Sequence, residues 1–312
     1  MCRKFDSCQG RKTTTNRKNK MKKITALALA LLSIIPIQAH AATNQNIVII
    51  DTGYDASVTQ FAGKIVYEAC FTNSCPNGKT FQEGAGSAAL TAAQLTAKDA
   101  IHGTQMMSAS ILTNSSASYV FIRAYGISGT NLISPTDAGF LSILTWIDQN
   151  KTKLNVGAIV FSAARNITTA CPTNAGILSF VNNFKAIGVP VISAAGNAYD
   201  YTHVAFPACL DPIIAIGSID NYGHALYSNA GLSLDFDAMG TMTVSNGGTS
   251  TLQAVGTSLA AQVFAASWMA IKQAKPTLTY DQEYALIKNT QTLSSNSHVK
   301  NIPTINLAGA LK

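Results

Sequence analysis

The chain reads as an α/β protein: a doubly wound, mostly parallel sheet with helices on both faces. Short, continuous, β-branched runs recur along it, as strands buried on both faces require. Between them lie segments whose apolar residues repeat at helical spacing, so strand and helix alternate over most of the length. No Pro/Ser/Gly-rich linker divides the 312 residues, and one domain is expected over 42–312.

The strand runs are residues 47–50, 119–124, 158–161, 189–193 and 213–216. The segment 71–99 breaks the rhythm. Rich in Gly, Ala, Ser, Thr, Asn and Gln without periodicity, it is expected to be a surface loop. Phe140, Ile143, Leu144 and Ile147 fall at i, i+3, i+4 and i+7 and predict a helix, with Ser134 as N-cap, Pro135 as first residue and Asp137 as third. A second helix is expected over about 177–186. The chain is expected to close with a helix opened by the capping pair Thr279 and Gln282. In such a sheet the site lies at the carboxyl ends of the strands. Asp51 and Asn197 follow strand runs, and His102 and Ser258 begin helical segments, so four distant positions can meet on one rim.

The amino-terminal region carries an address. Met21-Lys22-Lys23 precedes the apolar run 24–35, Pro36 and the small-x-small triplet Ala39-His40-Ala41. That is the pattern of a secretory signal peptide over 21–41, giving a mature chain beginning near Ala42. Residues 1–20 are polar and basic without apolar periodicity, and translation is expected to start at Met21. No later segment reaches the ~18 apolar residues of a membrane span, so no membrane anchor is expected after cleavage. Only Ala42 to Asn46 precede the first strand, so the protein is expected to fold without a propeptide. The net charge of +7 resides in this leader, because residues 1–41 hold nine Lys/Arg and one Asp. The remainder has 13 basic against 14 acidic residues. No basic stripe is left for a phosphate backbone, which excludes nucleic acid as a partner.

Cys2 and Cys8 precede the signal segment, leaving Cys70, Cys75, Cys171 and Cys209 in the exported chain. An even number in an oxidising compartment reads as two disulfides. A zinc site is the competing reading, but Cys70-x4-Cys75 lacks a His/Cys pair at finger spacing.

The chemistry-bearing stretch is Gly256-Thr257-Ser258-Leu259-Ala260-Ala261. It presents a serine at the first turn of a helix, where free backbone N–H groups and the positive dipole end favour an oxyanion. Upstream stand Ile50-Asp51-Thr52-Gly53, Ile101-His102-Gly103-Thr104 and Ala194-Ala195-Gly196-Asn197. Each has an ordinary alternative: a turn-capping Asp51, a helix-opening surface His102, a left-handed turn at Asn197, a routine helix start at Ser258. Together they supply a carboxylate to fix an imidazole whose other nitrogen takes the serine proton.

This order and these local contexts resemble the subtilisin-like serine proteases, or subtilases, over about residues 47–311. The resemblance implies a nucleophile at Ser258, a general base at His102, an orienting carboxylate at Asp51 and an oxyanion donor at Asn197. It implies a secreted or periplasmic endopeptidase that acts on peptide or protein substrates through an acyl-enzyme, with no metal or organic cofactor. The segment 159–164 resembles the strand that pairs with substrate backbone, and Ser162, Ala163, Ala164, Ala195 and Gly196 are the implied substrate-binding residues. Cys70 and Cys75 close a loop long enough to turn. Cys171 and Cys209 fall in segments that flank the substrate pocket in the family, so the implied disulfides are Cys70–Cys75 and Cys171–Cys209.

The chain departs from the family pattern at several positions. Gln105 replaces a second histidine that is not the proton acceptor, Leu259 replaces methionine, and Gln262-Val263 replaces Pro-His. Gln60 stands where many members carry a calcium-binding aspartate, so that calcium site is not expected. Ala164 replaces a glycine, adding a methyl where substrate backbone approaches enzyme backbone. Ala164 and the short lead favour the alternative function, a subtilase-fold protein that holds peptides without cutting them. An α/β-hydrolase esterase is disfavoured, because Gly256-Thr257-Ser258-Leu259-Ala260 lacks the second glycine of the nucleophile elbow.

Overall fold

Asn46–Asp51 form β1, and all six residues are buried, as the unbroken apolar run before Asp51 demands. The computed structural model describes residues 45–312; the expected upstream extension, signal peptide and start near Ala42 lie outside the described residues. Further along are β2 (Ile65–Cys70), β3 (Gln82–Glu83), α1 (His102–Thr113) and β4 (Tyr119–Arg123). A small hairpin of β5 (Gly126–Ser128) and β6 (Asn131–Ile133) leads to α2 (Asp137–Asn150) and β7 (Val156–Phe161). Then come α3 (Ala175–Ala186), β8 (Val191–Ala194), β9 (Ile214–Asp220), β10 (Gly223–His224) and β11 (Phe236–Met239). A second hairpin, β12 (Thr241–Ser245) with β13 (Thr251–Val255), feeds α4 (Thr257–Ala274), followed by α5 (Tyr280–Thr290), β14 (Thr292–Ser294), β15 (Ile302–Thr304) and α6 (Leu307–Ala310).

The main sheet runs β14-β15-β11-β9-β8-β7-β1-β4-β2-β3, with β10 paired to β9. Contacts from β2 through β15 are parallel, and only β3, β10 and β14 add antiparallel pairs. Strand β1 sits between β4 and β7, so the chain is wound outward in both directions from it. Its carboxyl end is therefore a topological switch point, the natural place for a site. Alternate residues of β1 feed two cores. Ile47 and Ile49 pack with α1 and α4, whereas Val48 and Ile50 pack with α2 and α3. Ala260, Ala261, Ala265 and Ala266 of α4 are all fully buried, which lets this central helix lie close on the sheet.

Three expectations are corrected. The cap of α2 is Thr136, whose hydroxyl accepts from Gly139 N–H at 3.2 Å. Ser134 and Pro135 lie before the helix, and Asp137 is its first residue. The chain does not close on the helix capped by Thr279 and Gln282, although that capping box forms in α5 as expected. Instead β14 and β15 extend the sheet past β11, pinned by a buried pair: His224 Nδ1 lies 2.8 Å from Asp237 Oδ2, and Ser294 Oγ donates to the same oxygen. Lastly, the segment 71–99 is not purely surface, for it contributes β3 and buries Ser87, Ala88, Leu90 and Ala97.

Both disulfides form as expected, Cys70–Cys75 and Cys171–Cys209. The first turn holds Ser74, whose hydroxyl accepts from the buried Arg123 Nη2 at 2.7 Å and from Ile127 N–H at 3.0 Å.

Glu283 on α5 is buried with Oε1 unpartnered. Burial pushes its carboxyl up to about 8, against the pull of Lys272. A folded-state value above the unfolded one means the native state holds the extra proton. Stability is thus full below the unfolded carboxylate range and is lost as pH rises through about 8. Glu283→Gln, isosteric and neutral, is expected to flatten that fall and raise Tm at pH 9 by something on the order of 5 °C, with little change at pH 5. Thermal unfolding of the two proteins across pH 5–9 checks it; parallel Tm curves would refute it.

Candidate active site

Asp51 ends β1 with no solvent exposure. Its Oδ1 accepts from Thr52 N–H at 2.7 Å and stands 2.7 Å from His102 Nδ1, while Oδ2 is buried without a partner. Thr52 fastens the helix that brings His102 there: its hydroxyl donates to Ala100 O (2.8 Å) and accepts from Gly103 N–H (2.9 Å). Gly103 is required at this contact. A Cβ there would lie 2.1 Å from Gly53 O, so any side chain would push α1 off the turn after β1. The His102 side chain keeps 25% exposure. Burial opposes its protonation, but the charge and hydrogen bond of Asp51, with the charge of Asp99, outweigh it and hold the imidazole pKa above its ordinary value.

Across the rim, Asn197 follows β8, and the left-handed turn falls on Gly196 (φ +104°) rather than on Asn197 itself. Asn197 Oδ1 accepts from Thr257 N–H and Thr257 Oγ1–H, both at 2.9 Å. The Thr257 hydroxyl in turn accepts from Gly196 N–H at 3.1 Å. With its carbonyl end tied to the start of α4, the carboxamide of Asn197 has its Nδ2 without a hydrogen-bond partner among the described residues. Ser258 is the second residue of α4, partly exposed, at the end of the helix where unpaired N–H groups point outward. Asn197 and Ser258 share a cavity of about 210 Å³ whose other walls include Ala163, Ala164, Asn166 and Gly196. Among the described residues no hydrogen bond links Ser258 Oγ to His102 Nε2; such contacts commonly tighten only once substrate is bound.

The implied substrate residues divide. Ala163, Ala164 and Gly196 line the cavity. Ser162 does not: it is fully buried, and its hydroxyl accepts from Gln262 Nε2 at 2.6 Å. Ala195 is buried too, and its N–H and C=O are spent on Ile216 O and Ala205 N–H. Four residues that position or line the site escaped the sequence reading, namely Thr52, Thr257, Asn166 and Asn229. Thr52 and Thr257 flank the motif residues, yet only their partners reveal what they do. Gln105 reaches Asn246 Oδ1 at 2.8 Å, and Gln60 Oε1 accepts from Ser108 Oγ at 2.8 Å. Among the described residues no group of three or more His, Cys, Asp or Glu side chains is arranged to hold a metal ion, and no helix is long and apolar enough to cross a membrane.

The sequence model of the subtilase family matches residues 42–303. The chain belongs to the subtilase family. With membership comes the reaction class: this subtilase is a serine-type endopeptidase. It is 27% identical over 283 residues to subtilisin DY of Bacillus licheniformis, spanning 88% of this chain and 94% of that protein. In fold it is similar to proteases from Pseudoalteromonas arctica, with TM-score 0.68 and 19% identity over 86% of this chain and 89% of that one. A lanthipeptide protease gives TM-score 0.65 and 14% identity, covering 86% of each chain. A cold-adapted subtilisin-like serine proteinase gives 0.63 and 21%, covering 83% of the subtilase and 87% of its own chain.

Proposed function

We propose that the subtilase is an exported endopeptidase that hydrolyses peptide bonds through an acyl-enzyme on Ser258. The observation that carries this reading is the 2.7 Å contact between Asp51 Oδ1 and His102 Nδ1 at the switch point of the sheet. That contact keeps the Nδ1–H tautomer and leaves Nε2 as a neutral acceptor. His102 Nε2 removes the Ser258 proton as Oγ attacks the scissile carbonyl. The developing oxyanion takes hydrogen bonds from Asn197 Nδ2 and the Ser258 backbone N–H, and His102 then delivers its proton to the leaving amine. Water, deprotonated by the same histidine, releases the acyl group. The two disulfides and the 21–41 segment support export, which mapping the amino terminus of extracellular protein to near Ala42 would test.

A fluorophosphonate probe tests nucleophile, base and oxyanion donors in one step: labelling of Ser258 is expected. If the purified protein stays unlabelled where a control protease reacts, the non-cutting peptide binder takes over. Asn197→Ala is expected to lower kcat about 10²–10³-fold with KM little changed, because the donor acts chiefly in the transition state. Steady-state kinetics on a peptide substrate decide it. A rise in KM at constant kcat would make Asn197 a ground-state contact.

A further inference from the structure

The cavity beside Ser258 has features that general proteolysis does not use. Asn229 is 1% exposed, and its orientation is set because Oδ1 accepts from Ala198 N–H at 2.7 Å and Asp200 N–H at 3.2 Å. Its Nδ2 is left buried with no hydrogen-bond partner among the described residues. A buried unpaired donor is costly, so a molecule that brings it an acceptor gains from doing so. That donor lies behind Gly196, which lines the cavity: a Cβ built on Gly196 would lie 2.7 Å from Asn229 Nδ2 and 2.9 Å from Asn166 Oδ1. The same point lies 2.9 Å from Ala205 Cβ, so a methyl also closes this side. Asn166 lines the cavity, and its side chain makes no hydrogen bond within the described residues. A donor and an acceptor therefore flank one bare glycine at the cavity wall.

The rest of the lining narrows what can enter. None of the lining side chains is charged. Arg165, next in sequence to Asn166, is engaged elsewhere, 3.2 Å from Asp137 Oδ1 and over the Phe206 ring at 4.8 Å. A charged substrate side chain would thus be desolvated without a counter-charge. The methyls of Ala163 and Ala164 line the about 210 Å³ space and narrow it against large rings.

We propose that this cavity reads a short, uncharged carboxamide side chain, Asn or Gln, on the residue whose carbonyl is attacked. Asn229 Nδ2 donates to the oxygen of the carboxamide, and its amino group donates to Asn166 Oδ1. The inference rests on Ser258 being the nucleophile proposed above.

The test uses peptidyl phosphonates that differ only in the side chain at the attacked position, alongside a fluorophosphonate without one. Rates are divided by each protein's own rate with the simple fluorophosphonate. Asn and Gln probes are expected to react at least about tenfold faster than Leu, Asp, Lys and Phe probes, the worth of one well-made hydrogen bond. Asn229→Asp keeps the oxygen that anchors residues 198 and 200 but replaces the donor with an acceptor. In that variant the Asn-over-Leu ratio is expected to fall to about unity, and Asn166→Leu, at an exposed position, should turn it toward Leu. Fluorophosphonate labelling with Leu or Phe preferred, or a ratio unchanged in Asn229→Asp, overturns the inference and leaves the protease reading standing. Failure of every probe, the simple one included, removes both.

Discussion

Ser258→Ala is expected to reduce kcat by about 10⁶, to abolish fluorophosphonate labelling, and to leave thermal unfolding within about 1 °C of the parent. The loss is expected to be large because the proposed nucleophile, base and orienting acid would act as a unit, so removing the attacking atom would forfeit nearly everything the three supply. What survives is whatever Asn197 and the α4 N-terminus still give to a water-attacked transition state. Stability should hold because the Ser258 side chain is partly exposed and makes no hydrogen bond among the described residues. Mass spectrometry of the labelled protein locates the adduct, and a calorimetric scan reports the fold. Hydrolysis persisting in this variant at more than about a hundredth of the parent rate would mean that another residue does the chemistry.

Asp51→Asn is expected to lower kcat about 10⁴-fold while preserving the fold. Asn fits the same buried space, and its Oδ1 can still accept from Thr52 N–H. A neutral amide, however, no longer compels His102 to carry its proton on Nδ1, and it offers no charge to the imidazolium formed on attack. The pH profile separates this from a structural defect. In the parent, Asp51 holds the His102 pKa above the ordinary imidazole value of about 6.5, so His102, the proposed base, is expected to be switched off by protonation already above that pH. The acid limb of kcat/KM is therefore expected above pH 6.5 in the parent and at lower pH in Asp51→Asn. A variant within tenfold of the parent, or one whose acid limb does not move, removes Asp51 from the role of orienting carboxylate.

Much of the fold was legible in the sequence because the central strands are buried on both faces and so carry unbroken β-branched runs. The strand containing Ile47–Ile50 and the helix containing Phe140, Ile143, Leu144 and Ile147 appear where the pattern puts them. The start of α2 lies two residues past the expected cap, since Ser134 and Thr136 are both good caps and only the path of the chain selects Thr136. The closing strands β14 and β15, three residues each, are too short to show a period, and they are held by pairing and by the buried Asp237. Ser162 and Ala195 lay within the segment and motif that suggested substrate contact, yet each turns inward. Both lie just past the ends of β7 and β8, where no fixed alternation of faces applies, so sequence proximity does not say which residue faces the cleft.

The sequence by itself determined the residue types of the proposed catalytic set and their supports. Asp51 follows a buried run, His102 and Ser258 open helices, and Asn197 follows a strand run, because local propensity and apolar periodicity act over a few neighbours and are written in them. Only the tertiary structure decided what those residues face. The 2.7 Å approach of Asp51 to His102, the locking of Asn197 by Thr257 and the bare donor of Asn229 beside Gly196 each join residues that the chain separates by at least 31 positions. Such contacts depend on the order of strands and the close fit of helices to the sheet, a property of all the packed side chains together and of no single stretch.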